Sequence, residues 1–227
     1  MRSFSNYFPF LEVSLEGLLQ EAIVELKTEE EKIKATWTII DMLKDHSPFD
    51  YDHSIRVSLL CQEIAKFIDL DREIMFQSGL FHDVGKIAIP VQVLEAETWD
   101  NYCIEKIKEH VSKGYYIVFS LFRKFGKIVP AVVLRHHTFK GENSYPSQAE
   151  ITDITGFVLQ NYSEEQTVFI DHCARIVALA DTFDSLHRRY DGKANRSGEK
   201  IHQLMLKENP DQIILVENLF DADIFKI

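Results

Sequence analysis

A histidine and an aspartate stand side by side at His82-Asp83, after Gly79-Leu80-Phe81 and just before Val84-Gly85-Lys86. The residues leading to His82 are mostly apolar, so the doublet is expected to enter the core from one end of a helix. A carboxylate buried without a partner is costly by several kcal/mol. The chain must therefore bring Asp83 a partner, and a metal ion is one candidate. This requirement constrains the fold strongly, because further donors have to return to the level of His82 from distant parts of the chain.

The donors are available at suitable spacing. Five of the nine histidines are His53, His82, His110, His136 and His137, with intervals of 29, 28 and 26 residues up to His136. In a helix bundle such an interval lets the chain leave one level and come back to it, with helices of about 11–12 residues plus loops. Asp83 and Asp181 supply carboxylates. Taken singly, each residue has an ordinary reading. His53 could be a satisfied core histidine, His110 or Lys86 a charge at a helix end, and Asp181 the partner of an arginine. Taken together with the doublet, they point to metal binding. Histidine and carboxylate without thiolate suit iron, manganese, zinc or similar ions rather than a structural zinc knot. Seven candidate ligands (His53, His82, Asp83, His110, His136, His137 and Asp181) exceed the need of one ion, and Asp83 can bridge two through its two oxygens. Two metals about 3.5–4 Å apart are the usual arrangement for phosphoester hydrolysis. His46, His172, His187 and His202 are left as surface or structural residues.

The remainder reads as all-α. Among 227 residues there are only 9 glycines and 6 prolines, and apolar residues recur near the helical period. Leu11, Leu15, Leu18, Leu19, Ala22 and Leu26 form one stripe. Thr28 with Glu31 has the form of a capping box for a helix carrying Ile33, Trp37, Ile40 and Leu43, which Ser47-Pro48 ends. Residues 1–48 are thus expected to be an N-terminal helical extension, and 49–227 the main domain. Further helices are expected from about Asp52 to Ile68, from an Asp71 cap to His82-Asp83 with Gly85 as a stop, from Trp99 to Ser112, around Pro130, and from Gln166 to Leu186. Thr138 to Ser147 reads as a loop. Ile151, Ile154, Phe157 and Leu159 suggest a short helix or a lid.

A net charge of -11 argues against duplex nucleic acid or an anionic membrane as partner, though a metal and local basic residues can still attract a small anion. Cys61, Cys103 and Cys173 are odd in number and far apart, which suits a reducing cytoplasm rather than a disulfide framework. No apolar run is long enough to span a bilayer, and Met1-Arg2-Ser3-Phe4 lacks a signal-peptide profile. The N-terminal helices could serve a homodimer or simply cover the core.

His53, His82-Asp83-Val84-Gly85-Lys86, His110, His136-His137 and Asp181 together resemble the HD phosphohydrolase superfamily and, more narrowly, its HD-GYP group. The stretch Ala174 to Leu186 is similar to the later helix of that group, and the likeness runs from about Asp50 to Phe220. The resemblance implies an all-helical HD-type bundle that holds two or three metals and hydrolyses cyclic di-GMP. It implies His53, His82, Asp83 and Asp181 around one ion and Asp83, His110, His136 and His137 around the other. The ions would be iron or manganese first, with zinc, nickel, cobalt or magnesium as alternatives. It also implies in-line attack by a metal-bridging hydroxide that Asp83 helps to hold, with Lys86 on a phosphate oxygen. Tyr145 and Pro146, Arg175, Arg188 and Arg189 are the further candidates for substrate contact, with Lys193 and Arg196 beside them.

The second motif departs from the group. Where the pattern reads His-His-Glu-x-x-Asp-Gly-x-Gly-Tyr-Pro, this chain has Thr138 for the Glu, Gly141 for the Asp and Ser144 for the glycine before Tyr145-Pro146. Three-metal members carry a glutamate four residues before the first histidine. Phe49 stands there, so two metals are expected unless Asp50 or Asp52 substitutes. The readings are a cyclic-dinucleotide phosphodiesterase, a weakly active or inactive nucleotide sensor or docking module, and an HD-type hydrolase of nucleoside phosphates. A complete ligand set favours catalysis; the altered loop favours a changed substrate or weak activity.

Overall fold

The computed structural model describes residues 14–122, 126–139, 141–156, 162–188 and 197–226. Helices account for the architecture, and no strand occurs among the described residues, as the helical periodicity predicts. Leu11, Phe157 and Leu159, named above, lie outside the described residues.

Helix α1 (Leu15–Glu25) is capped by Ser14, whose side chain accepts from the Gly17 amide. The expected capping box at Thr28 and Glu31 does not form. Lys27 takes a left-handed conformation, and the Thr28 amide turns back to Ile23 O to close α1. Helix α2 (Glu30–His46) therefore starts after Glu29 without a side-chain cap.

Helix α3 (Pro48–Phe67) begins four residues before the expected Asp52. Ser47 caps it by accepting from the Asp50 amide, and Pro48 opens its first turn, where a missing N–H costs nothing. The same Ser47-Pro48 pair thus ends one helix and begins the next. Helix α4 (Arg72–Phe81) is capped by Asp71 as expected and reaches His82 at its C-terminal end.

After Asp83 a 3-10 turn spans Val84–Ala88. Gly85 is not the helix stop proposed from the sequence, since its φ is not positive. It allows a close crossing: a Cβ there would lie 1.8 Å from His110 O. The chain continues through α5 (Val91–Leu94), α6 (Asn101–Lys108), α7 (His110–Phe122) and α8 (Ile128–Arg135), then α9 (Gln148–Thr155), α10 (Glu164–Arg188), α11 (Gly198–Glu208) and α12 (Ile213–Asp221).

The single helix expected from Trp99 to Ser112 is instead two, α6 and α7. The Glu109 amide bonds back to Lys106 O, and the Ile107 carbonyl accepts from the His110 side chain. His110 consequently opens α7 rather than closing α6. The short-helix reading of the segment after Pro146 is met by α9, which carries a full Ser147–Glu150 capping box and buries Ile151 against Val111, Tyr115 and Leu134.

Helices α3 and α4 pack as a pair and contribute to two cores. On one side Val57, Cys61, Ile64 and Met75 meet Val132 of α8, Val177 of α10, Ile201 of α11 and Val216 of α12. On the other, Ile55, Phe76 and Leu80 meet Leu19 and Ile23 of α1, Ile39, Ile40 and Leu43 of α2, Val118 of α7 and Val133 of α8. Each fully buried Leu, Ile or Phe contributes about 1.5–3 kcal/mol. The first two helices therefore brace the element that ends in His82-Asp83. None of the described helices is long and apolar enough to cross a membrane.

Candidate metal centre

The seven predicted ligands converge at the level where α4 ends and α7 begins. Two buried groups lie side by side: Asp83 with His110, His136 and His137, and His53 with His82 and Asp181. Within each group one donor atom per residue lies within 4.8 Å of the others. Asp83 faces both. Its Oδ1 is 3.3 Å from His110 Nε2, while its Oδ2 is 3.3 Å from His82 Nε2 and 3.8 Å from His53 Nε2. His53 Nε2 lies 3.2 Å from Asp181 Oδ1.

Most of the imidazoles are aimed by a second bond. His82 Nδ1 is 2.7 Å from Gly79 O, His110 Nδ1 is 2.6 Å from Ile107 O, and His136 Nδ1 is 2.7 Å from Val133 O. A carbonyl can only accept, so each Nδ1 donates and each ring turns its Nε2 inward. All three use the carbonyl three residues earlier, which a histidine at or beside a helix end can reach. His53 differs: its Nδ1 is 2.7 Å from Asp184 Oδ2, and Arg56 grips the same carboxylate through Nε at 2.7 Å and Nη2 at 3.0 Å. Such outer partners orient metal-binding rings and raise their basicity.

These residues fit divalent ions. His82 Nε2 is buried and has no hydrogen-bond partner, a costly state for a polar atom unless something else takes its lone pair. Nitrogen and carboxylate donors, with no thiolate in either group, match iron, manganese or zinc chemistry.

The charges are arranged accordingly. Burial would raise Asp83, but Lys86, His82 and His110 hold its carboxyl well below the usual range. Lys86 Nζ sits 2.6 Å from Asp83 Oδ2 and 2.8 Å from Asp50 Oδ1. Burial opposes its charge, yet the two carboxylates push its pKa above the ordinary value. Burial pulls His110 down to about 4 and His136 well below its ordinary value, so both are neutral near pH 7. Burial also works against protonated His53, but Asp181 and Asp184 outweigh it and raise the group to about 9.

The centre forms the floor of a cleft with about 790 Å³ of empty space, whose walls include Phe49, Trp99, Ile107 and Tyr145. Of the predicted substrate contacts, Lys86 and Tyr145 line this cleft. The Tyr145 ring lies 4.6 Å from that of His137, and its amide bonds to His137 O, which returns the loop to the centre. Pro146, next in the chain, is buried.

Arg175 is not delivered to the ligands. Its guanidinium bonds twice to Asp211 and once to Asn209, tying α10 to the α11–α12 connection, although it also lines an adjoining cavity that reaches Asp181. Arg188 ends α10; Arg189, Lys193 and Arg196 lie outside the described residues. Asp50, a possible third-metal ligand in the sequence reading, is engaged by Lys86 and Ser47.

Sequence reasoning missed Asp184 and Arg56. Both carried a usable signal, since each lies three residues after a ligand on the same helix face (Asp181 and His53). The other four histidines are away from the centre: His46 bonds to Ile89 O, His202 pairs with Glu217, His187 lies beside Phe183, and His172 is exposed.

Residues 50–186 match the HD domain family, and the chain belongs to it. Among characterised proteins it is 24% identical over 186 residues to 3'3'-cGAMP-specific phosphodiesterase 1 of Vibrio cholerae, a match covering 79% of this chain and 38% of that protein. It is 31% identical over 137 residues to the cyclic di-GMP phosphodiesterase response regulator RpfG of Xanthomonas campestris, covering 58% of this chain and 32% of that one. The chain thus spans roughly a third of the length of these relatives. In fold it is similar to the HD domain of the L. monocytogenes phosphodiesterase PgpH, solved in complex with cyclic-di-AMP. That likeness has a TM-score of 0.52 at 14% identity, over 82% of this chain and 90% of that one.

Proposed function

We propose that the chain is a metal-dependent phosphodiesterase of the HD-GYP type that hydrolyses cyclic dinucleotides, cyclic di-GMP foremost. The observation that carries the reading is Asp83, whose two oxygens face two separate donor groups at the floor of an open cleft. The names of the relatives support the substrate class.

In this reading two divalent ions are held, iron or manganese ahead of zinc, nickel, cobalt or magnesium. His53, His82, Asp83 and Asp181 take one; Asp83, His110, His136 and His137 take the other. Such ions supply Lewis acidity at a phosphoryl oxygen and a water of lowered pKa at neutral pH. The chain's own residues do the rest. Lys86 keeps Asp83 ionised and presents a fixed positive charge beside it for a phosphate oxygen. His110 and His136 remain neutral through burial, which keeps their lone pairs available. Asp184 fixes His53. Tyr145, Pro146, Arg188 and Arg189 are proposed on the substrate side. Residues 49–227 would form the catalytic unit, and 1–48 a helical extension that could also serve a homodimer in the cytoplasm.

A second substrate, 3'3'-cGAMP, is favoured by the extent of the matches. The two cGAMP-specific relatives align over 79% and 69% of the chain, against 58% for RpfG.

The test is to purify the chain anaerobically with iron or manganese. Cyclic di-GMP, 3'3'-cGAMP, the linear dinucleotide and nucleoside monophosphates are then assayed in parallel. Hydrolysis of a cyclic dinucleotide is expected. No turnover of any substrate with the metal bound would overturn the enzyme reading, and turnover of monophosphates alone would overturn the substrate class.

A further inference from the structure

The floor of the cleft is charged, while part of its rim is apolar and stands outside the hydrophobic cores. Phe49 is 59% exposed and Trp99 51% exposed, yet both line the cleft above the metal centre. Neither belongs to any of the hydrophobic clusters of the described residues. Tyr145, the third aromatic of the rim, is already packed against His137.

The two free aromatics are held in place by what adjoins them in the chain. Phe49 follows Pro48 in the first turn of α3 and lies four residues before His53, so the two share a helix face. Its neighbour Asp50 is bonded to Ser47 and Lys86. Trp99 precedes Asp100, the residue that caps α6 by accepting from the Cys103 amide. Helix α6 in turn runs to Ile107, whose carbonyl aims His110. Both aromatics are thus attached to segments that also position the ligands.

There is also room beyond Trp99. With Ile107 and Tyr145 it lines an adjoining hollow of about 720 Å³ of empty space, so the cleft continues past the indole.

We propose that Phe49 and Trp99 form a stacking subsite for a purine base of the substrate, at the mouth of the cleft. The proposal rests on the phosphodiesterase reading, because a purine is the planar aromatic group that such a substrate brings beside its phosphate. Aromatic side chains take bases by their π-faces with little demand on hydrogen bonding. The subsite therefore sets affinity for a purine nucleotide without distinguishing guanine from adenine.

The first measurement is tryptophan fluorescence of the metal-loaded chain, titrated with GMP and, separately, with ribose 5-phosphate, which lacks a base. GMP is expected to quench saturably and ribose 5-phosphate is not. The chain has 2 tryptophans, and the quench is expected to vanish in Trp99→Phe, where Trp37 alone reports. The second measurement is steady-state hydrolysis of the cyclic dinucleotide. Trp99→Ala and Phe49→Ala are each expected to raise KM about 10-fold with less than about twofold change in kcat. Tyr102→Ala serves as a control, since Tyr102 is 60% exposed but outside the cleft, and its KM should match wild type.

The absence of a GMP quench, a quench that persists in Trp99→Phe, or a KM for Trp99→Ala no higher than for Tyr102→Ala would each overturn the subsite. If no diester is hydrolysed, the phosphodiesterase reading falls while the quench still decides the subsite. If diesters are hydrolysed and the quench is missing, the subsite alone falls.

Discussion

The floor of the cleft and its rim are built on different plans. The floor residues sit on or beside helix termini, or within a long helix, and most are tied by a second bond to the backbone or to a carboxylate. The rim rests on a residue in the first turn of α3, a residue just before α6, and the loop from Thr138 to Ser147. Among the described residues of that loop, the Thr138 hydroxyl bonds to Arg135 O, the Ser144 amide to Gly141 O and the Tyr145 amide to His137 O. The difference teaches where each property resides. Donors that must meet within a few ångströms are carried on braced helices, whereas the surfaces that would select a ligand lie where side chains can change without moving the floor.

Changes in the floor should therefore be severe and changes outside it graded. Asp83→Ala removes the residue that faces both donor groups. Bound metal and hydrolysis are expected to fall together, the latter by about 10³-fold or more, equivalent to several kcal/mol of lost charge stabilisation. Metal analysis beside the diesterase assay checks this, and retained activity would break the floor's role.

Gly85→Ala places a methyl group against the backbone at His110. It should cost about 3 kcal/mol of folding stability and show as a lower melting temperature. A melting temperature equal to wild type would mean that the crossing of the 3-10 turn and α7 is loose.

Asp184→Asn keeps the shape but weakens the grip on His53 and leaves Arg56 without its anionic partner. Metal affinity is expected to fall about 10–100-fold, measurable by competition with a chelator.

His53 gives a pH signature. Without metal its pKa is raised to about 9, against about 6.5 in an unfolded chain. Its contribution to stability is therefore complete below about pH 6.5 and is lost as pH rises through 9, so the metal-free protein should melt lower at pH 9.5 than at pH 6. Metal binding requires the neutral ring, so loading at pH 7 should release a proton. A weakly buffered titration with a pH indicator would show it; no release would contradict the protonated state.

The smallest effect is expected from Arg175→Ala. It removes the bonds to Asp211 and Asn209 and should cost about 1–2 kcal/mol without reducing metal content. The hydrogen bond to Arg175 lowers Asp211 to about 2. Its stabilising effect is therefore present above about pH 4 and lost as pH falls toward 2, and that acid limb should be missing in the variant. If instead Arg175→Ala raised KM for the nucleotide with unchanged melting, Arg175 would belong to the substrate side.

The helical class and the convergence of the seven donors were legible in the sequence for one physical reason. A donor on a helix has a fixed direction, so spacing along the chain translates into level within a bundle. The misjudged details turn on local hydrogen bonds that spacing does not report. His110 starts α7 because its own ring takes the Ile107 carbonyl; Thr28 closes α1 rather than opening α2; Gly85 serves a close crossing rather than a stop. Asp184 and Arg56 act on a ligand's outer nitrogen rather than on the metal, so they are found only once His53 is placed. Of the rim, Tyr145 is legible from its place in the second motif, whereas an exposed Phe49 or Trp99 acquires meaning only when the cleft beneath it is known.

The central claim is that Asp83 joins two donor groups into one two-metal centre. It is tested most directly by counting ions per folded chain after anaerobic reconstitution with iron or manganese and removal of loosely bound metal. The account predicts two ions per chain in the wild type. One ion, three ions or none in a correctly folded chain would contradict it.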